Sequence, residues 1–326
     1  MRNRTCLVSL VCLFCLPAVA DVPLRPVNTY SIVARDAQTG QLGVAVQSHW
    51  FSVGSIVLWA EPGVGAVATQ SFVEPDYGPL GLYLMRSGKD ASKALEALIG
   101  IDEHANVRQV GMVDANGVVA NYTGDRAIIE HCQIAGDGFT VQANLMWKPT
   151  VCAAMAAAYE STDGDLGERL MASLEAGQRE GGDIRGKQSA ALLVVSGDRT
   201  EPAWGGRVFD LRVEDHPEPL VELRRLLKMN RAYNLMNQGD EQMTEGNIEK
   251  AVEAYGAAEA LVPDSHEMVF WHAVTLAGAG QVEQALPLFV KAFAMWPKWR
   301  ELIPRLPASG LLPDDPELLA RILAAE

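Results

Sequence analysis

The sequence predicts an α+β protein: a sandwich of two β-sheets with helices outside, followed by an all-α segment of helical repeats. Three observations lead there. A hairpin near the start of the chain is apolar on both faces. Strand patterns then alternate with helix pairs in the order strands, two helices, strands, two helices, strands. The last third carries a repeat of small, aromatic and Pro positions with a period of 34 residues.

Residues 29–49 organise the first unit. Tyr30, Ile32 and Ala34 alternate with Thr29, Ser31, Val33 and Arg35, the period of two that a strand imposes. Asp36-Ala37-Gln38-Thr39-Gly40 supplies turn residues, and a second strand of small residues returns over 43–48. A hairpin apolar on both faces needs cover on both sides, hence a central place in a layered fold. Further strands are expected at 55–60 and 65–70, broken by Pro62-Gly63, and helices at 78–87 and 91–99. A hairpin over 107–122 turns on Ala115-Asn116-Gly117. Residues 139–145 read as a strand, 150–160 and 167–175 as helices, and 189–195 and 207–213 as the last strands.

Residues 1–20 have the pattern of an export leader. Arg2 and Arg4 precede a short apolar core over 7–16, and Ala18-Val19-Ala20 is a small-x-small cleavage pattern. Val11 and Phe14, preceding Cys12 and Cys15, argue against a lipidation site. Cleavage after Ala20 predicts an exported chain, periplasmic or secreted, with no membrane span after maturation. Residues 21–28, with Pro23 and Pro26, read as an extended lead-in. Cys132 and Cys152 remain after the leader; they either pair, as an oxidising compartment permits, or stand apart as small buried hydrophobes. Neither lies in a CxxC, so no metal site is expected. A net charge of −14 argues against nucleic acid as a partner, because phosphates need clustered Lys and Arg.

In the last third, Gly246, Ala251, Tyr255, Ala258 and Pro263 recur as Gly280, Ala285, Phe289, Ala292 and Pro297. These offsets resemble the tetratricopeptide repeat, whose helix pairs stack small residues against large ones. Two repeats are fewer than usually stand alone, so Leu220 to Leu227 are expected to lean on the sandwich and a helix over 299–306 to cap the array. The expected units are therefore 29–227 for the sandwich, 229–306 for the repeats and 307–326 for a tail ending in a helix at 316–325. The repeats imply a protein or peptide partner; self-association stays open.

One further resemblance bears on the whole first unit. Thr29-Tyr30-Ser31-Ile32-Val33-Ala34-Arg35-Asp36, Gly43-Val44-Ala45-Val46-Gln47-Ser48, Val64-Gly65-Ala66-Val67-Ala68-Thr69-Gln70, Tyr77-Gly78-Pro79, Gln109-Val110-Gly111, Gln142-Ala143-Asn144, Gly181-Gly182-Asp183-Ile184-Arg185-Gly186 and Asp210-Leu211-Arg212-Val213 run in order. Together they resemble the bacterial family called domain of unknown function 1028, itself similar to the N-terminal-nucleophile (Ntn) hydrolases with their four-layer αββα sandwich. That resemblance implies Thr29 as a nucleophile whose own α-amine, with an ordinary pKa near about 8, serves as base. The implied substrate is a small amide or peptide, and no cofactor is implied.

Other candidates follow from position. Ser31 shares a strand face with Thr29. Ser48 and His49 are neighbours on a strand and point to opposite faces; Ser48, in phase with Val44 and Val46, is the one expected toward Thr29. Gln70, Gln142 and Asn144 are polar at the ends of apolar strands and offer amide donors to an oxyanion or to loop backbone. Asp183 and Arg185 lie in the most distinctive Gly-rich loop, where an Asp–Arg pair holds either the loop or a substrate carboxylate. HExxH, GxSxG, dinucleotide and P-loop motifs are absent. A hydrolase that needs Thr29 freed and a non-catalytic binding protein therefore remain the two readings.

Overall fold

The computed structural model describes residues 27, 29–200, 202 and 204–326. The leader, and the lead-in apart from Val27, lie outside the described residues. Among the described residues ten strands form two antiparallel sheets. The larger contains β1 (Thr29–Arg35), β2 (Leu42–Ser48), β7 (Cys132–Gly136), β8 (Phe139–Ala143), β9 (Ser189–Val195) and β10 (Arg207–Val213) in the order β10-β9-β2-β1-β8-β7. The smaller runs β3 (Leu58–Glu61), β4 (Gly65–Ser71), β5 (Arg108–Asp114) and β6 (Val119–Thr123). The opening hairpin occupies the two middle places of the larger sheet, and its residues are buried on both faces.

The apolar clusters show what covers each face. Val33, Val44 and Val46 of the larger sheet pack against Ala66, Ala68 and Val113 of the smaller. The opposite face of the larger sheet, with Tyr30, Ile32 and Val141, meets α4 (Val151–Ser161) and α5 (Leu166–Arg179) through Met155, Tyr159, Leu170 and Leu174. The outer face of the smaller sheet is covered by α2 (Tyr77–Arg86) and α3 (Ala91–Ile99), with Leu82, Met85 and Leu95 on Val67 and Met112.

Two local expectations change. Residues 55–60 were expected as a strand, but α1 (Gly54–Val57), one short helical turn, precedes β3. The chain passes directly over β9 there: a Cβ on Gly54 would come within 2.5 Å of Ala191. The strand expected over 139–145 ends at Ala143, and it is the second arm of a hairpin whose first arm, β7, was not foreseen. Asp137-Gly138, with Gly138 at φ +69°, is the turn signal that marks it.

Beyond β10 the chain is helical: α6 (Pro219–Thr244), α7 (Ile248–Leu261), α8 (His266–Gly278), α9 (Val282–Met295), α10 (Trp299–Leu302) and α11 (Pro316–Leu323). The boundary expected at 227–229 falls inside α6, a single helix with two jobs. Its first half buries Leu220, Leu223 and Leu227 in the sandwich core, and its second half packs Ala232 and Met236 with Tyr255 of α7. Arg224 pairs with Glu168 and Glu175, and Arg231 with Asp165 and Glu168, tying α6 along α5. Among the described residues no helix is long and apolar enough to cross a membrane.

Cys132 and Cys152 form a disulfide that ties β7 to α4, so the paired alternative holds here. The bridge closes a loop of 20 residues, for which chain entropy predicts about 3 kcal/mol of stabilisation. A thiol reagent added to unfolded, non-reduced protein should therefore leave both residues unlabelled. Reduction should lower the unfolding free energy by about that amount in a denaturant titration.

Candidate functional site

Thr29 opens β1 at the end of the larger sheet, opposite Ser48 in the register with β2. It is fully buried. Its Oγ1 donates to the Val27 carbonyl at 2.9 Å and lies 3.3 Å from Ser48 Oγ. Its own carbonyl accepts the Asn144 backbone N–H at 3.1 Å and the Gln70 side-chain amide at 3.2 Å. Just upstream, Val27 and Ser71 exchange both backbone hydrogen bonds, pinning the approach to Thr29 against the end of β4.

Behind Thr29, polar side chains join the two sheets. Ser31 Oγ donates to Gln70 Oε1 at 2.6 Å and accepts from Gln142 Nε2 at 2.7 Å. Gln70 Nε2 donates to Gln109 Oε1 at 2.7 Å, and Asn144 Nδ2 donates to the same oxygen at 2.9 Å. Gln109 Nε2 in turn reaches Thr123 Oγ1 at 2.9 Å and the Ala143 carbonyl at 3.1 Å. Ser31, Gln70, Gln109, Gln142 and Asn144 are all fully buried. Room for this comes from Gly111: a Cβ there would lie 2.4 Å from Gln142 Oε1.

The structure thus gathers Thr29, Ser31, Ser48, Gln70, Gln142 and Asn144 into one cluster. It places His49, Asp183 and Arg185 in another. The Asp183 carboxylate is buried and accepts the His49 N–H at 3.1 Å, the Arg185 N–H at 2.9 Å, and the Arg185 guanidinium through Nε at 3.1 Å and Nη2 at 2.7 Å. That saturates the carboxylate as a clamp between the loop after β2 and the Gly-rich loop. The His49 side chain is exposed, beside Gly186. Burial, then the Asp183 charge, pushes the Tyr30 hydroxyl well above its usual range, so it stays protonated and donates to Gln47 Oε1.

Gln109 is the member that sequence reasoning missed as a site residue. Its signal was there: an amide next to the apolar run Val110-Gly111-Met112-Val113, two residues from a Gly. Two buried atoms, Ser71 Oγ and Asn144 Oδ1, on residues whose backbones bond to Val27 and Thr29, have no partner among the described residues. Backbone strain gathers at the same end. The non-glycine residues at positive φ among those described are Ser52, Ser71, Glu130 and Leu145; Ser71 closes β4, and the other three lie two to four residues outside the ends of β2, β7 and β8. Among the described residues no cluster of three or more His, Cys, Asp and Glu could hold a metal.

A family model described as a family of unknown function, DUF1028, matches residues 29–223. The chain belongs to this family. Its fold is similar to the crystal structure of a protein from Silicibacter pomeroyi assigned to the same family, with a TM-score of 0.55 and 27% identity over 62% of this chain and 88% of that one. No curated protein matches this chain. The family match begins at Thr29 and ends within α6, so it contains the whole site and stops short of the later helices.

The amide network makes a direct prediction. Gln109→Leu keeps the volume but strands the Asn144 Nδ2 donor and takes a hydrogen-bond partner from Gln70, Thr123 and the Ala143 carbonyl. It should cost at least about 2 kcal/mol in a denaturant titration, since each buried polar group left unpaired costs about 1–3 kcal/mol. Gln133→Ala, which removes only an exposed partner of Thr123, should change stability by less than about 0.5 kcal/mol.

Proposed function

We propose that the protein is exported and is a latent amide hydrolase of the N-terminal-nucleophile type, with Thr29 as nucleophile once the Asn28–Thr29 bond is cut. The observation that carries the reading is unused hydrogen-bonding capacity around that bond. Ser71 exchanges backbone hydrogen bonds with Val27, and Asn144 donates its N–H to Thr29. Each of these two residues also keeps a buried side-chain oxygen with no partner among the described residues. Such oxygens are costly unless they serve a state other than this one. A freed α-ammonium or amine at Thr29 is a group they could hold. The layered packing, helices on both outer faces of two sheets, supports reading the fold as an Ntn-type αββα sandwich.

The chemistry follows from the atoms at the start of β1. In the uncut chain the Thr29 nitrogen is an amide and cannot act as a base. Cutting removes Val27, the acceptor of the Thr29 hydroxyl, and yields an amine that titrates near about pH 8. That amine takes the hydroxyl proton as Oγ1 attacks the substrate carbonyl. The tetrahedral adduct collapses to an ester on Thr29, and the proton passes to the departing amine. Water, deprotonated by the same α-amine, then hydrolyses the ester and restores the hydroxyl. Gln70 and Ser48 position the strand end on which this happens.

A second reading is favoured by a different observation. A groove of about 600 Å3 lies between α6 and α8, lined by Met236, Asp240, Met243, Trp271, Val274 and Leu311. The α7 and α9 helices have equal length and start 34 residues apart, and Gly239 of α6 meets the Tyr255 ring so closely that a Cβ there would come within 2.6 Å. This small-against-aromatic packing resembles tetratricopeptide stacking and suits a protein that holds a peptide, with Thr29 never uncovered.

Intact mass and N-terminal sequencing of protein recovered from its native compartment separate the two. A start at Thr29, with amide hydrolysis that falls at least about a thousandfold in Thr29→Ala and survives in Thr29→Ser, is the expected result. A start at Asp21 with no hydrolysis of any amide would sink the hydrolase reading in favour of the binding one.

A further inference from the structure

We infer that the Thr29 site takes substrates with a large apolar group flanking the scissile amide, seated on a shelf formed by Leu145, Trp147 and Ile184. The inference rests on the reading of Thr29 as nucleophile and deepens it. The shelf begins one residue from the site: Asn144 donates its N–H to the Thr29 carbonyl, and Leu145 follows directly. Leu145 sits at φ +56°, a conformation a branched side chain rarely adopts, and the chain turns out of the sheet there.

Beyond that turn the segment pairs with the Gly-rich loop. Met146 and Asp183 face each other as a β-bridge, Trp147 N–H donates to the Gly182 carbonyl at 2.9 Å, and Ile184 N–H donates to the Leu145 carbonyl at 3.2 Å. Met146 and Asp183 are both buried, so alternation turns their neighbours Trp147 and Ile184 outward. Trp147 is 62% exposed and Ile184 49%. On the other flank the Glu130 carbonyl accepts the Met146 N–H, which brings Ile129, 80% exposed, to the same rim.

The ribbon that carries these side chains is pinned at several points. The Asp183 clamp fixes one strand of the ribbon through His49 and Arg185. Gly181, at φ +113°, lies under Trp147 so closely that a Cβ there would be 3.0 Å from the Trp147 Cβ. An outward apolar surface that adjoins a polar, buried reaction centre is the division of labour found in small-molecule sites. Apolar walls supply affinity, and a few polar groups fix orientation. An acidic group gains nothing on such a wall, so the ligand class is an aliphatic or aromatic amide.

The test uses the full chain labelled with 5-fluorotryptophan, the Trp147 resonance being assigned with Trp147→Phe. N-acetyl-leucine amide should shift that resonance saturably and leave the other tryptophans in place. N-acetyl-aspartate amide should not shift it, and Ile184→Ser should weaken the leucine response about tenfold or more. No shift of Trp147 with the leucine amide, or an equal shift with the aspartate amide, would overturn the shelf. The unchanged resonances of the other tryptophans report that each variant is folded. Hydrolysis is scored separately on protein cut before Thr29. A selective Trp147 shift without hydrolysis keeps the shelf and removes the nucleophile; hydrolysis without selectivity does the reverse.

Discussion

Between the two sheets, where Val33, Val44 and Val46 otherwise meet apolar partners, Gln70 Nε2 donates to Gln109 Oε1 at 2.7 Å. Ser31, Gln142 and Asn144 complete the connection. An unpaired amide in such a space costs several times what a paired one contributes, so the set is stable only when every member is present. This constrains both sheets at once. Ser31 must stand opposite Gln142 in the β1–β8 register, and Gln70 opposite Gln109 in the β4–β5 register, as they do. A slip of one residue in either pair would turn its amide into an apolar face. Gly111 has no tolerance for a side chain for the same reason.

The register that satisfies the amides also places Thr29. With Ser31 locked, Thr29 is the next residue on the same face toward the sheet end, directly against Ser48. The strained residues Ser71 and Leu145 then act as corners that lead the chain away from the sheet on either side of it. Chemistry by Thr29 would therefore begin from a position already ordered by the core. In this structure its hydroxyl is covered by the Val27 carbonyl.

The later helices are joined to this arrangement through α6. Leu220, Leu223 and Leu227 belong to the same apolar cluster as Tyr30 and Leu170. Arg224 and Arg231 line up with acidic residues of α5 and its N-cap Asp165, and α5 leads straight into the loop that carries Asp183. Exposed ion pairs contribute little individually; the buried leucines hold α6 down, and the arginines set its rotation against α5. Past Ala232 the helix leaves the sheet and buries Met236 with Tyr255 and Met268 instead.

Much of this was legible along the chain because it depends on local periodicity. The two-residue alternation of 29–35 and the small residues of the returning strand each report a face that must be covered, and they located β1 and β2 closely. The polar candidates were visible as amides out of character with their strands. What the sequence could not supply is which of them meet. Gln109 joins the cluster because two sheets from distant parts of the chain face each other, and Asp183 is spent on His49 and Arg185 because two loops converge. The helical turn at Gly54 likewise answers to Ala191, a residue far along the chain. Periodicity tells a segment which side is inside; only the packed structure decides what it finds there.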